Sequence, residues 1–147
     1  MMTPKKLDVN LPDDIYDLLV DYYNNAYELE FVTIAGSMKS NNKPVVVWPQ
    51  VNQFGRIRIG AEIFGSANTP YYLKNSFILA KFMQENGSVK VYPGQVQYYF
   101  EYELRISKEK KVIHHMAFVK WFMYASDQKI RFHFKINHDT KSCNVKI

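Results

Sequence analysis

The sequence has little of several features that define familiar protein classes. A single cysteine, Cys143, occurs in 147 residues, which excludes an internal disulfide framework and fits a reducing compartment. Only 6 glycines and 6 prolines are present, which excludes collagen-like and Gly/Pro-rich disordered chains. No apolar run reaches the length of a transmembrane helix, and no apolar stretch follows Lys5 and Lys6 as in a signal peptide. The sequence therefore predicts a soluble protein that is neither secreted nor bound to a membrane.

Recognisable catalytic and metal-binding motifs are also missing. The chain has no nucleophile elbow, no glycine-rich phosphate loop and no metal-binding set of carboxylates. Glu101 and Glu103 share one predicted strand face beside Arg105, where a solvated Glu–Arg contact explains them better than an acid–base pair does. The one set with metal-ligand chemistry is His133, His138 and Cys143. Its spacing is wide and it has one thiol, so the sequence predicts a non-catalytic protein without metal or cofactor.

Aromatic residues and basic charge are what the sequence has in excess. It is 47% hydrophobic and 16% aromatic, with 11 Tyr and 10 Phe, so a disordered chain is not expected. Residues 1–30 carry two basic and seven acidic residues, whereas the remainder carries 17 basic and seven acidic residues, a net charge of +10. A basic body favours polyanionic partners through attraction and counterion release. The acidic segment is also suited to docking on that body.

Hydrophobic alternation predicts most of the secondary structure. Residues 95–106 alternate strictly and predict a long amphipathic strand, because side chains on a strand point to opposite faces in turn. Residues 112–124 are apolar on both faces, and we expect them to pair with the long strand as an antiparallel hairpin around a polar tip. Shorter strands are expected at 30–35, 44–48, 56–63, 76–83, 130–136 and 142–147.

One amphipathic helix is predicted at residues 12–27. Pro12 in the first turn, followed by Asp13 and Asp14, is typical of a helix N-terminus. The predicted apolar stripe of this helix is Ile15, Leu18, Leu19, Tyr22 and Ala26.

The pattern as a whole indicates a mainly β (α+β) protein, a small antiparallel β-barrel or sandwich with one N-terminal amphipathic helix. Residues 1–10 are predicted to be a flexible leader, and residues 11–147 a single β-rich domain that includes the helix. A parallel α/β fold is disfavoured because the gaps between strands are too short for crossover helices.

Basic side chains on the predicted outward strand faces are the candidate binding residues. Their partner would be nucleic acid, whose phosphates they would contact, with exposed tyrosines stacking on bases or forming part of a cage for a cation. The candidate nucleic-acid-binding residues are Arg56, Arg58, Arg105, Lys108, Lys110, Lys111, Arg131 and Lys135. The candidate stacking residues are Tyr71, Tyr72 and Tyr99. The alternative is that alternating charge is only what any sheet presents to water.

Three stretches carry a resemblance to a known group of proteins: residues 54–66 (FGRIRIGAEIFGS), 92–101 (YPGQVQYYFE) and 117–122 (AFVKWF). Together they resemble uncharacterised proteins of early-diverging fungi encoded by cut-and-paste transposons, in which such a segment follows the transposase region. The resemblance implies an accessory module that lacks the catalytic carboxylates of a transposase. The Lys120-Trp121-Phe122 strand is also similar to the central strands of bromo-adjacent homology (BAH) domains, which implies a chromatin-reading barrel, although no methyl-lysine pocket can be assigned to residues here.

These observations predict a non-catalytic interaction module of a mobile-element protein. It is expected in the nucleus, or alternatively in the cytoplasm, and to bind nucleic acid or chromatin through its basic sheet faces. The alternative function is a protein–protein interaction or assembly domain that uses the acidic helix and the aromatic sheet.

Overall fold

A computed structural model of the chain describes residues 2–39 and 43–123. Strands account for 50% and helices for 21%, which confirms the prediction of a mainly β protein. The strands are β1 (Met2–Asn10), β2 (Phe31–Val32), β3 (Val45–Val46), β4 (Gln50–Ile59), β5 (Glu62–Phe64), β6 (Phe77–Met83), β7 (Val89–Arg105) and β8 (Lys111–Trp121). The helices are α1 (Asp13–Ala26), α2 (Ile34–Ser37) and a 3₁₀ segment (Pro70–Ser76). None of the helices within the described ranges is both long and apolar enough to cross a membrane.

Six of the strands form one antiparallel sheet. Its hydrogen-bonded path runs β1-β4-β7-β6, with β5 paired to β4 and β8 paired to β7. Strands β2 and β3 form a separate parallel pair, with Phe31 opposite Val45. In the part of the chain that the structure describes, the sheet does not close on itself. The prediction of an antiparallel sheet is confirmed, and that of a closed barrel is not.

The chain divides into two compact units. The described part of the first unit is residues 2–5, 54–99 and 117–123, and that of the second is residues 6–39, 43–53 and 100–116. Strands β1, β4, β7 and β8 each contribute residues to both units. The single domain predicted over residues 11–147 stays a prediction.

In the first unit, β4 and β5 form a hairpin with a two-residue turn. Ile59 lies opposite Glu62, and Gly60 between them has φ of 60°, which a glycine adopts without strain. Glycine at the first turn position is the pattern of a type II′ turn. The single strand predicted over residues 56–63 is therefore wrong. Ile59, the last residue of β4 before this turn, is 61% exposed.

Tyr99 lies in the core of the first unit rather than on its surface. It packs with Phe54 and Val96, is only 8% exposed, and its hydroxyl donates a hydrogen bond to the Gly65 carbonyl oxygen, 3.3 Å away. Burial raises the pKa of Tyr99. The prediction that Tyr99 stacks on bases is wrong, because both faces of β7 are covered here: Tyr99 and its neighbour Phe100, which point to opposite faces, are only 8% and 6% exposed.

In the second unit, α1 packs through a different stripe from the predicted one. The helix itself is confirmed, with Asp13 and Asp14 in its first turn. Its buried residues are Leu19, Val20 and Tyr23, whereas Leu18 and Tyr22 of the predicted stripe are about half exposed. Apolar residues occupy two adjacent faces of this helix, so helical spacing alone does not determine which face is buried.

Tyr23 is the centre of the second unit's core. It is fully buried and lies 5.6 Å from Phe31 and 5.7 Å from Tyr102, measured between ring centroids. Its hydroxyl bonds to Nδ1 of His114 at 2.8 Å, while the Tyr27 hydroxyl bonds to Nε2 of the same ring at 2.9 Å. These bonds satisfy the polar atoms of an otherwise aromatic core, as burial requires. His114, which the sequence left without a role, thus joins α1 to β8.

Residues 2–10 form strand β1, where a flexible leader was predicted. Within the second unit, the Gln50 side-chain amide donates to Asn10 Oδ1 at 3.0 Å. The backbone N–H of Asp8, whose φ is 49°, lies 3.4 Å from Asn52 Oδ1. The sequence of β1 is polar and has no clear alternation. Its order comes from pairing with β4, which local propensity does not reveal.

Replacing Tyr102 by phenylalanine tests the hydroxyl at this core. The Tyr102 hydroxyl accepts a hydrogen bond from the Trp48 backbone N–H at 2.8 Å, and the Tyr102 side chain is 3% exposed. We expect Tyr102→Phe to lower the free energy of unfolding by about 1–3 kcal/mol, because the Trp48 N–H is left without its partner. Urea denaturation measures this. Tyr22→Phe is the matched control, expected within about 0.5 kcal/mol of wild type because Tyr22 is half exposed.

The pH dependence of stability provides a second measurement. Burial raises the pKa of Tyr102 to about 12 in the folded protein, above its ordinary value of 10.0. Folding therefore favours the neutral form of the Tyr102 side chain. The stability that this form contributes is fully present below pH 10 and is lost as the pH rises towards 12. Wild type should lose more stability across that interval than Tyr102→Phe. An equal loss in both proteins would contradict the assignment.

Candidate nucleic-acid interface

The turn that leads into the 3₁₀ segment of the first unit is fixed to β4 by partly buried hydrogen bonds. The hydroxyls of Ser66 and Thr69 both donate to the Gly55 carbonyl oxygen, at 2.6 and 2.9 Å. Gly65 permits the close approach of this segment, since a Cβ there would lie 2.3 Å from the Tyr72 carbonyl oxygen. The tyrosines of the segment therefore follow a turn that is held against β4 by these contacts.

Arg56, Tyr72 and Tyr71 meet on the surface of this unit. The Arg56 guanidinium donates to the Tyr72 hydroxyl at 2.9 Å, and its Cζ lies 5.0 Å from the centroid of the Tyr72 ring, within cation–π range. Tyr71 contacts Tyr72 edge to face, with centroids 5.0 Å apart, and is 88% exposed. One predicted cation and two predicted stacking residues thus form a single cluster, which we call the Arg–Tyr cluster.

Of the other predicted cations on strands, Arg58 is described by the structure, whereas Arg131 and Lys135 are not. Arg58, two residues after Arg56 on β4, is exposed and donates through Nε to the Gly60 carbonyl oxygen at 3.1 Å. Arg131 and Lys135 lie outside the described residues, as do His133, His138 and Cys143. The assignment of Arg131 and Lys135 as candidate nucleic-acid-binding residues stays a prediction.

In the second unit, the tip of the β7–β8 hairpin carries the other predicted cations. Arg105 and Lys111 both pair with the Glu103 carboxylate, at 2.7 and 3.2 Å. Lys108 and Lys110 are exposed, and within the described residues neither forms an ion pair. The tip therefore has two cations engaged by Glu103 and two that face solvent.

The candidate catalytic carboxylates are held in structural contacts. Glu101 Oε2 lies 3.3 Å from His115 Nε2, and Glu101 Oε1 lies 3.4 Å from the Asn52 amide. Hydrogen bonds from Arg105 and then Lys111 lower the pKa of Glu103. Across residues 2–39 and 43–123, no group of three His, Cys, Asp or Glu side chains is arranged to hold a metal ion. Glu101 and Glu103 thus have local partners, as the solvated-face interpretation predicts.

The second unit also contains a cleft of about 390 Å³ beside these carboxylates. Its walls include Asp8, Trp48, Glu101, Glu103 and Arg105. Three carboxylates against one guanidinium make it unsuited to phosphate. Trp48 is 55% exposed there, and sequence analysis gave it no role.

A second cleft, of about 400 Å³, lies in the first unit where β5, the 3₁₀ segment and β6 meet. Its walls are Glu62, Ile63, Phe64, Lys74, Asn75 and Phe77. None of these six residues was a candidate from the sequence. The cleft exists because β5 turns back along β4. In the sequence, only Gly60 and Ala61 indicate a turn at this point.

Comparison with known proteins adds no relative: no family model, no curated protein and no solved structure matches the chain. The resemblances to transposon-encoded proteins and to BAH domains stay predictions.

Removing Arg105 tests the ion pairs of the hairpin tip. We expect Arg105→Ala to raise the pKa of Glu103 towards its ordinary value, because the hydrogen bond from Arg105 is the largest cause of the lowering. The lowered pKa of Glu103 stabilises the folded protein at pH values above the ordinary pKa of a glutamate. This stabilisation is lost as the pH falls through the lowered pKa. An NMR titration of the Glu103 carboxyl carbon measures the shift. Lys108→Ala is the matched control, and equal titration curves for both variants would contradict the arrangement.

Proposed function

We propose that this chain is a non-catalytic module that binds nucleic acid, either free or in chromatin. The observation that carries the proposal is the Arg–Tyr cluster, in which a guanidinium and two tyrosine rings occupy one surface. The resemblance to mobile-element proteins favours the same function and a nuclear location.

The chemistry of the cluster suits a nucleic-acid strand. A ring that is 88% exposed, as that of Tyr71 is, offers a flat apolar surface on which a base can stack. The Tyr72 hydroxyl and ring hold the Arg56 guanidinium beside it, and a guanidinium pairs well with phosphate. Stacking and phosphate contact are the two contributions that proteins binding single strands combine.

Charge supports the same partner. The chain has a net charge of +5 despite its acidic N-terminal segment. Lys108 and Lys110 at the hairpin tip give the second unit solvent-facing cations that do not depend on the Arg–Tyr cluster. Each cation that contacts a phosphate releases counterions, so binding should weaken as salt increases.

A second function, protein–protein interaction, is favoured by one observation on β6. Phe77, Leu79 and Met83 alternate along this strand and are 55%, 73% and 78% exposed. A row of exposed apolar side chains is typical of a protein interface. The acidic residues of α1 are also exposed, as this alternative requires.

Removing the Tyr71 ring tests the proposed function. Fluorescence anisotropy would measure the affinity of the full chain for a labelled 12-nucleotide single strand and for a duplex of equal length, at two salt concentrations. We expect Tyr71→Ala to weaken single-strand binding by about 5- to 150-fold, the usual effect of losing one stacked base. The slope of log affinity against log salt should be unchanged, because no charge is removed.

Tyr22→Ala is the matched control, since Tyr22 is another exposed tyrosine, on α1. It should bind as wild type does. Absence of binding by wild type at low salt would overturn the proposed function. So would equal losses in the two variants.

The alternative function has its own test on β6. Size-exclusion chromatography with light scattering would give the mass of wild type and of Leu79→Glu at several concentrations. Self-association in wild type that Leu79→Glu abolishes would favour the interaction domain, because a charge at a buried interface is costly. A monomer in both cases would count against assembly through this strand.

A further inference from the structure

The cleft in the first unit is built from rigid elements. Phe64 packs against the buried cluster of Phe54, Val96 and Tyr99, which fixes one wall. The Asn75 carbonyl oxygen accepts a hydrogen bond from the Gly65 N–H at 3.2 Å, and the Asn75 side-chain amide donates to the Ile63 carbonyl oxygen at 3.3 Å. These contacts join the 3₁₀ segment to β5 and hold the cleft open between them.

Phe77 provides an aromatic wall that solvent reaches. Its side chain is 55% exposed, and its ring stacks on Phe122 with centroids 6.1 Å apart and an angle of 21° between the planes. Phe77 is also the first residue of β6, where it lies opposite Gln95 in the sheet. The Phe77 ring is therefore held in place by the sheet and by Phe122, and about half of it is exposed in the cleft. Such a ring can stack on a planar ligand.

The polar groups of the cleft are arranged for a base rather than for a phosphate. The Glu62 carboxylate repels phosphate and accepts hydrogen bonds from the N–H groups of a base edge. The Asn75 side-chain N–H donates to Ile63, which leaves the Asn75 side-chain oxygen as a further acceptor, and Lys74 supplies a cation for the phosphate that follows the base. The volume of about 400 Å³ is within the range of small-ligand sites.

The cleft is close to the Arg–Tyr cluster along the chain. Lys74 and Asn75 belong to the same 3₁₀ segment as Tyr71 and Tyr72. Gly65, whose α-carbon faces Tyr72, directly follows the cleft residue Phe64. A strand that stacks a base on Tyr71 therefore passes near the cleft with its neighbouring nucleotides.

We infer that this cleft holds one unpaired nucleobase, stacked on Phe77, and so directs binding towards single-stranded nucleic acid. The inference rests on the proposed function and adds its substrate class. A base within a duplex is already stacked and paired, so it does not enter the cleft without unpairing. The aromatic side chain of a protein partner is the competing occupant, and the experiment below separates the two.

The experiment compares two labelled 12-nucleotide strands, oligo(dT) and a strand of the same length made of abasic sites. Both carry the same phosphates, but only the first has bases. We expect the full-length wild-type protein to bind oligo(dT) more tightly than the abasic strand, and the ratio of the two affinities measures the contribution of the bases. In Phe77→Ala this ratio should fall by about 5- to 150-fold, the usual effect of one lost base-stacking contact.

Phe82→Ala is the matched control. Phe82 is an aromatic residue of the same strand, is 46% exposed, contacts a second ring (that of Trp121) as Phe77 contacts Phe122, and does not line the cleft. Its affinity ratio should equal that of wild type. Circular dichroism checks that each variant is folded, and Phe77→Leu, which keeps apolar volume but has no ring, is measured beside Phe77→Ala in case the smaller side chain destabilises the sheet.

The outcomes separate this inference from the proposed function. If wild type binds neither strand, the proposed function fails and the inference fails with it. If wild type binds both strands equally, binding to phosphates stands and the base-binding cleft is overturned. A ratio above one that Phe77→Ala leaves unchanged places the stacked base elsewhere and also overturns it. Formation of a dimer that Phe77→Ala disrupts, with no discrimination between the strands, would assign the cleft to a protein side chain.

Discussion

Strand β7 provides backbone pairing partners for β4, β6 and β8, and the candidate interface depends on this arrangement. The 3₁₀ segment lies outside the sheet, and it is attached to β7 through its last residue, Ser76, and through Ala67, three residues before it begins. The Ala67 N–H donates to the Val96 carbonyl oxygen at 2.8 Å, and the Gln95 amide donates to the Ser76 hydroxyl at 3.1 Å. The surface tyrosines are therefore positioned by a strand whose residues 92–102 are all buried or half-buried.

Tyrosine has opposite roles in the two units. In the second unit, Tyr23 and Tyr102 are buried and each hydroxyl has a hydrogen-bond partner, so the rings act as core residues whose polar atoms are satisfied. In the first unit, Tyr71 is almost fully exposed and lies against a tyrosine that holds an arginine. The high aromatic content thus reflects both a core of modest size and a surface suited to planar ligands.

Much of the sheet could be predicted from the sequence, because β7 alternates strictly from residue 95, β6 and β8 are apolar runs of strand length, and the turns between them are polar. Four features could not be predicted. Alternation assigns residues to faces but does not say whether both faces are covered, which is why Tyr99 was misplaced. The order of β1 comes from a distant partner, and the cleft around Phe77 exists only once β5 folds back. Arg56 and Tyr72 were both candidates, yet only the structure places them in contact.

The order of strands in the sheet has a consequence for how the chain folds. The pairs β4–β5, β6–β7 and β7–β8 are hairpins with short connections, which close within microseconds. Pairing of β1 with β4 and of β4 with β7 instead closes loops of several tens of residues, and this costs more chain entropy. The hairpins are therefore expected to form first and β1 to add late. Until then the edge of β4 that receives β1 is open to strands of other chains, so slow synthesis or dilute refolding should favour the monomeric product over aggregates.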